Sequence, residues 1–180
     1  MEKKEIQWDD VEKQLLRKRA EDLARPADEL ESTEESRPLL EFILLGTPYA
    51  IYLERVESVS RIGAIHAIPL TPRHISGIIR RRGQSIALVS LRHFFNKNEE
   101  GLRDADFAVI VAAKGKRFAL QVEEIQGVIH IPADAILPPP DNFDSKQVPY
   151  IIGVTTEGLA VVDLDSLVDS KGFSMDSPLA

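Results

Sequence analysis

Between residues 39 and 168 the apolar positions fall into short runs broken by turn residues, the pattern of consecutive β-strands. L-L-E-F-I-L-L from Leu39, then Gly46 to Pro48, then Y-A-I-Y-L from Tyr49 read as strand, turn, strand. Val56 to Ile62 alternates as a less apolar strand, which His66-Ala67-Ile68-Pro69 ends, and Thr71-Pro72 predicts a single helical turn. The centre of the pattern is Ile75 to Phe95. There two apolar runs, Ile75 to Ile79 and Ser85 to Val89, flank a turn carrying Arg80, Arg81, Arg82 and Gly83, and a helix-like tail follows from Leu91 to Phe95. This is a hairpin signature. Asn96 to Asp104 reads as a loop.

The same order then recurs. Phe107 to Ala112, the turn Lys114-Gly115-Lys116 and Arg117 to Val122 repeat the first strand pair. Val122-Glu123-Glu124-Ile125 matches Val56-Glu57-Ser58-Val59, and His130-Ile131-Pro132 matches Ile68-Pro69. Ile151-x-Gly153 matches Ile75-x-Gly77, and Val162-Asp163-Leu164 matches Val89-Ser90-Leu91. The order of these anchors predicts a duplicated chain with one unit at about 39–95 and another at about 105–169. Each unit has about five short strands, the pattern of a small closed barrel, and closure removes exposed edges. The prolines at 138–140 and the D-N-F-D-S-K that follows predict an extended surface excursion.

Ahead of the body, Asp9 and Glu12 have capping-box spacing, and Trp8, Val11, Leu15, Leu16, Ala20 and Leu23 recur at helical spacing up to Pro26. Residues 9–25 are expected to form an amphipathic helix that docks on a partner or on the body, with a frayed tail as the alternative. Residues 26–38 have the composition of a disordered acidic linker. Residues 170–180 form a short tail.

Of the 180 residues 43% are hydrophobic, enough to bury a core, and none is cysteine, which excludes disulfides, thiol nucleophiles and thiolate metal sites. The first residues lack the apolar core of a signal peptide and no run of 18 apolar residues occurs, so a soluble cytoplasmic protein is expected. Net charge is -7 and segregated. Residues 1–38 carry 8 basic and 12 acidic side chains, residues 39–103 carry 9 and 5, and residues 104–169 carry 4 and 11. A body that is basic in front and acidic behind steers different partners to its two ends or favours head-to-tail self-association, unless the segregation is only that of solvated charges.

Candidate chemistry changes this picture little. His66, His74, His93 and His130 lack metal-site spacing, and no cofactor is expected. Asp163 and Asp165 beside Ser166 fit a helix cap better than an acid pair. G-I-I-R-R-R-G lacks the lysine and serine of a phosphate loop. The triple arginine is the one feature that argues for a nucleic-acid-binding small barrel. Low aromatic content (6%) and the acidic total argue against it.

In order along the chain, F-x-L-L-G, Y-A-I, V-x-S-V, I-P, I-x-G, R-G and V-x-L resemble the CheW adaptor domain of bacterial chemotaxis arrays, over about residues 39–169. The resemblance implies a mainly β fold of two intertwined, five-stranded, SH3-like barrels around a shared core. It also implies no catalysis, and a signalling adaptor that joins a chemoreceptor's cytoplasmic tip to the regulatory domain of a histidine kinase. By matching position it places a receptor groove at Val56, Ser58, Arg82, Gly83 and Val109; core packing is the other reading of the two valines, and satisfaction of turn carbonyls that of Arg82. The chain departs from the family where the turn N-L-R-G is Arg80-Arg81-Arg82-Gly83, making Arg80 and Arg81 candidate specificity residues. Ser58 replaces a glutamate that pairs with the turn arginine, which predicts a freer Arg82, and Ala87 and Ser90 replace a proline and an aspartate.

Overall fold

The computed structural model describes residues 36–95, 106–170 and 173. The helix expected at 9–25, most of the linker and the loop expected at 96–104 lie outside the described residues. The strands are β1 (Ser36–Leu44), β2 (Thr47–Tyr52), β3 (Val56–Arg61), β4 (Ile75–Arg81), β5 (Gln84–Ser90), β6 (Phe107–Ala113), β7 (Lys116–Val122), β8 (Glu124–Pro132), β9 (Ile151–Val154) and β10 (Ala160–Val162). Two short helices, α1 (Leu91–Phe94) and α2 (Leu164–Asp169), each follow the last strand of a repeat unit. Asp163 caps α2, its Oδ1 accepting from the Asp165 and Ser166 amides at 2.9 and 3.1 Å.

The strands form two five-stranded sheets, ordered β8-β1-β2-β10-β9 and β3-β6-β7-β5-β4. The orders correspond position by position under the repeat, with β1 and β2 equivalent to β6 and β7, and β8, β9 and β10 equivalent to β3, β4 and β5. The sheets do not coincide with the sequence units at 39–95 and 105–169. The central sheet is the contiguous stretch from β3 to β7, and the terminal sheet joins the two ends of the chain. Each unit lends a hairpin to the other's sheet, through the antiparallel pairs β1–β8 and β3–β6 and the parallel pairs β2–β10 and β5–β7. This is the intertwining that the resemblance implies.

Strand alternation sorts the apolar side chains into three layers. On β6, Ala108 and Ile110 join Ile79, Ile86, Leu88 and Ala119 inside the central sheet. Their neighbours Phe107, Val109 and Val111 turn the other way into a large cluster with Phe42, Leu44, Phe118 and Leu120. On β10 only Val161 faces the small inner cluster of the terminal sheet, with Leu39, Ala50 and Leu159. Ala160 and Val162 join the shared core between the sheets. The near-continuous apolarity of β6 follows from this, because a strand covered on both faces has no polar side.

Three hairpins use the same two-residue turn. Leu45-Gly46, Arg82-Gly83 and Lys114-Gly115 all have positive φ at both positions, the geometry whose twist matches the flanking strands. The I-x-G motif also has a physical cause. His66 pairs with Ile78 and Leu137 with Val154 as isolated bridges. The preceding chain therefore lies against the glycine: a Cβ on Gly77 would stand 2.7 Å from the His66 carbonyl oxygen, and one on Gly153 would stand 2.5 Å from that of Leu137. This geometry corrects one anchor of the repeat. Ile136-Leu137 is the counterpart of Ile65-His66, so Ile131-Pro132, at the end of β8, does not correspond to Ile68-Pro69.

Two further differences from expectation have simple causes. β1 begins at Ser36, inside the supposed linker, with Ser36, Arg37 and Pro38 paired to Pro132, Ile131 and His130. Pro38 is tolerated there because β2 joins β1 only from Leu39, so one side of the strand needs no donor at that point. Thr71-Pro72 forms a turn closed by the Ile75 amide on the Pro72 carbonyl at 2.9 Å, with no helix. The proline excursion runs along the surface as expected, but its far end returns to bury Gln147, which accepts from the Tyr49 hydroxyl at 3.1 Å.

Glu123 marks the crossing from the central sheet to the terminal one. Its side chain, 7% exposed, pairs with Arg92 at 2.8 Å and accepts from the Leu45 and Gly46 amides at 2.9 and 3.3 Å. One carboxylate thus ties α1 to the β1–β2 turn. Tyr49 stacks on Phe95 at 5.1 Å, and its hydroxyl is pushed up to about 12, first by burial and then by the charge of Asp144.

Three outcomes follow for urea unfolding. Gly77→Ala and Gly153→Ala each lower stability by about 1–3 kcal/mol, because the backbone opposite must move to admit a methyl group. Glu123→Ala costs about 3 kcal/mol by leaving Arg92 without its buried carboxylate, and Glu123→Gln costs less because it keeps an acceptor for the turn amides. Tyr49 is an acid whose neutral form is favoured in the folded state. The unfolded chain therefore loses this proton from about pH 10 and the folded chain only near 12. Stability falls as pH rises through that window, and Tyr49→Phe removes this part of the fall.

Candidate partner-binding surface

The five residues assigned to the groove do not form one exposed face. Val109 is 0% and Val56 1% exposed, and both belong to the core shared by the two sheets. Of the two readings open for the valines, packing is the one their burial supports. A bulge on β3 separates Val56, opposite Val111, from Ser58, opposite Ile110. Because Val111 faces the shared core and Ile110 the inside of the central sheet, Val56 and Ser58 point to opposite faces.

Arg82 and Gly83 are exposed at the tip of the β4–β5 hairpin, where φ is +48° and +80°. Positive φ at an arginine is unfavourable, and here the two-residue turn imposes it, as it does at Leu45 and Lys114. Arg82 is engaged with its surroundings, which corrects the expectation that losing the glutamate at 58 frees it. Arg80 is exposed on β4. Arg81, one residue on, is half-buried and shares the strand face of Ile79, which points inward. The three arginines therefore do not act as one patch.

Sequence reasoning missed a polar cluster on this part of the surface. The Arg117 guanidinium donates to Glu57 and to Gln84, both at 2.5 Å, and so links β7 to the bulge of β3 and to the start of β5 beside the arginine turn. The only sequence signal was the repeat itself, which aligns Glu57 with Glu123, the residue that holds Arg92. Two residues before Glu57, Arg55 pairs with Asp165 at 2.8 Å. Lys114, at the β6–β7 turn, pairs with Asp169 of α2, and that hydrogen bond holds its ammonium above the usual lysine value. His74, a metal-ligand candidate considered from sequence, is buried and packs on Phe94 and Phe173 at ring distances of 5.2 and 5.5 Å. Among the described residues no helix is long and apolar enough to cross a membrane.

The whole arrangement has known counterparts. The chain is 26% identical over 139 residues to the chemotaxis protein CheW of Klebsiella aerogenes, covering 74% of this chain and 82% of that protein. It is 29% identical over 128 residues to the protein FrzA of Myxococcus xanthus, covering 67% and 76% of the two chains. The crystal structure of the scaffolding protein TtCheW from Thermoanaerobacter tengcongensis superposes with a TM-score of 0.68 at 26% identity, over 81% of this chain and 96% of that one. The CheW-like domain family profile matches residues 38–172, the whole two-sheet body. With its swapped hairpins, repeated I-x-G crossings and shared core, the chain belongs to the CheW-like domain family.

Proposed function

We propose that this protein is a non-enzymatic signalling adaptor that couples a chemoreceptor-type protein to a histidine kinase in a chemotaxis-like pathway. The observation that carries the reading is the match of the complete two-sheet body to the CheW-like domain, together with relatives described as chemotaxis and scaffolding proteins. An adaptor of this kind works by holding two partners in fixed geometry. The fold suits that task, because the sheets share one core and cross-pair through four strand pairs.

In this reading Arg80, Arg82 and Gly83 supply the receptor-facing surface, Ser58 borders it from the inner face of β3, and Val56 and Val109 set its shape from beneath. The polar rim formed by Arg117, Glu57 and Gln84 adjoins it. Outward-facing arginines beside a polar rim are suited to the edge of a partner interface. The kinase engages surfaces of both sheets. The acidic second half and the basic first half assist encounter by steering oppositely charged partners to different ends.

The test is capture of a purified receptor cytoplasmic tip and of a kinase regulatory domain by the full chain and by residues 36–180. Both are captured by both forms; capture of neither by either form removes the adaptor reading. Arg82→Asn separates binding from folding, because asparagine suits the positive φ that arginine occupies here. Tip affinity is expected to fall about tenfold, roughly 1.4 kcal/mol, while the urea midpoint holds or rises.

A further inference from the structure

One member of the arginine turn is not used by the partner surface. The alternation that puts Ile79 inside the central sheet puts Arg81 on the same face two residues later, at the open end of that sheet. There the ends of β3 and β4 and the segment after β3 surround a cavity of about 330 Å³. Ser60, Arg61, His66, Ile79, Arg80 and Arg81 line it, and no carboxylate does. The Arg81 Nε is enclosed and has no hydrogen-bond partner. Among the described residues neither Arg80 nor Arg81 enters an ion pair.

An enclosed guanidinium nitrogen without an acceptor is a costly arrangement, and a ligand that draws the Arg81 side chain toward the cavity relieves it by supplying one. The surroundings restrict what that ligand is. Ser60, opposite Ala108, is on the inner face of β3, so its hydroxyl adds a second donor on the side of Arg81. Arg61 and Arg80 lie on the outer faces of their strands and raise the positive potential at the rim; the Arg61 guanidinium sits 5.5 Å over the Phe107 ring. A phosphate brings two negative charges and three terminal oxygens to such a set, where a single carboxylate brings one charge and two oxygens. The volume lies at the lower end of small-molecule sites, more than one phosphate needs, and Ile79 offers an apolar wall for an organic part.

We propose that the mouth of the central sheet binds a small phosphorylated organic molecule, with its phosphate on Arg81 and Ser60 and its organic part against Ile79. The site adjoins the outward surface of Arg82, with Arg80 at the border of the two, and gives the protein a means of sensing a soluble ligand beside its partner surface.

Calorimetric titration of the full chain with inorganic phosphate, adenosine 5′-monophosphate and citrate tests this, with amide NMR shifts read alongside. The nucleotide is expected to bind saturably, with a Kd below about 1 mM. Inorganic phosphate competes more weakly, and the largest shifts lie at Ser60, His66 and residues 79–81. Arg81→Leu, which continues the apolar inner face begun by Ile79 and so keeps the fold, weakens nucleotide binding at least tenfold. Arg81→Lys, which keeps the charge but loses the planar fork, weakens it less. Non-saturable nucleotide titration, equal affinity in Arg81→Leu, or citrate binding as tightly as the nucleotide overturns the proposal. So does preferential binding of a glutamate-rich peptide, which would make the mouth a contact for an acidic protein segment.

Discussion

The constraint on which the structure rests is that neither half of the duplicated chain closes a sheet by itself. Each sheet takes a two-strand hairpin from one repeat and three strands from the other, so every strand at a crossing serves two layers. Burial on both faces then follows for β6, whose seven residues read B-B-B-B-B-i-B in burial, and for the apolar stretch of β7. The chain passes between sheets twice, at the Leu53–Arg55 turn and at Glu123. Only the second crossing carries a buried charge pair. Glu123 stands one residue after β7, where its backbone amide bonds the Ile43 carbonyl at 3.0 Å while its carboxylate reaches Arg92 and the first hairpin. A charge buried there is tolerable because all of its neighbours are donors.

Duplication explains what is kept and what is not. Most backbone devices are kept in both copies: the X-Gly turn of the first hairpin, the close approach at Gly77 and Gly153, and the short helix after the last strand of each unit. These depend on space and φ and have few substitutes. The charges have diverged. Glu57 pairs with Arg117 on the surface, whereas its counterpart Glu123 is buried with Arg92. At the position of Arg92 the second copy has Asp165, which pairs with Arg55. A surface pair contributes little to stability, so its identity is free to drift. Two barrels alike in backbone therefore present different electrostatic faces, as an adaptor with two unlike partners requires.

Most of the strands were legible in the sequence because their cause is local: period-two alternation, glycine turns and β-branched residues. The repeat was legible for the same reason, and so was the cap at Asp163. The swap was not. Strand alternation gives the face on which Val109 lies but not which of two cores that face meets, and the pairing of β2 with β10 joins residues more than a hundred positions apart. The burial of Val56 and Val109 follows from the swap, which is why positions assigned to a groove by alignment are packed in the shared core. The bulge at Glu57 was equally invisible. One inserted residue reverses the direction of everything before it, and nothing in V-E-S-V marks where the pairing slips.

These constraints also decide where binding can evolve. The residues between the sheets are committed to packing, and a change of one methylene there is felt throughout a dense core. The hairpin tips and sheet mouths carry no such load. Among the three two-residue turns, Leu45 packs on the shared core and Lys114 is paired to α2, so two of the three serve the body. The third holds Arg82 at positive φ between Arg81, with its enclosed nitrogen, and Gln84, which takes a hydrogen bond from Arg117. An uncompensated buried donor and a polar bridge thus meet between Arg81 and Gln84, at a turn the core does not need. Folding alone gives no reason for that concentration, whereas recognition of something outside the chain does.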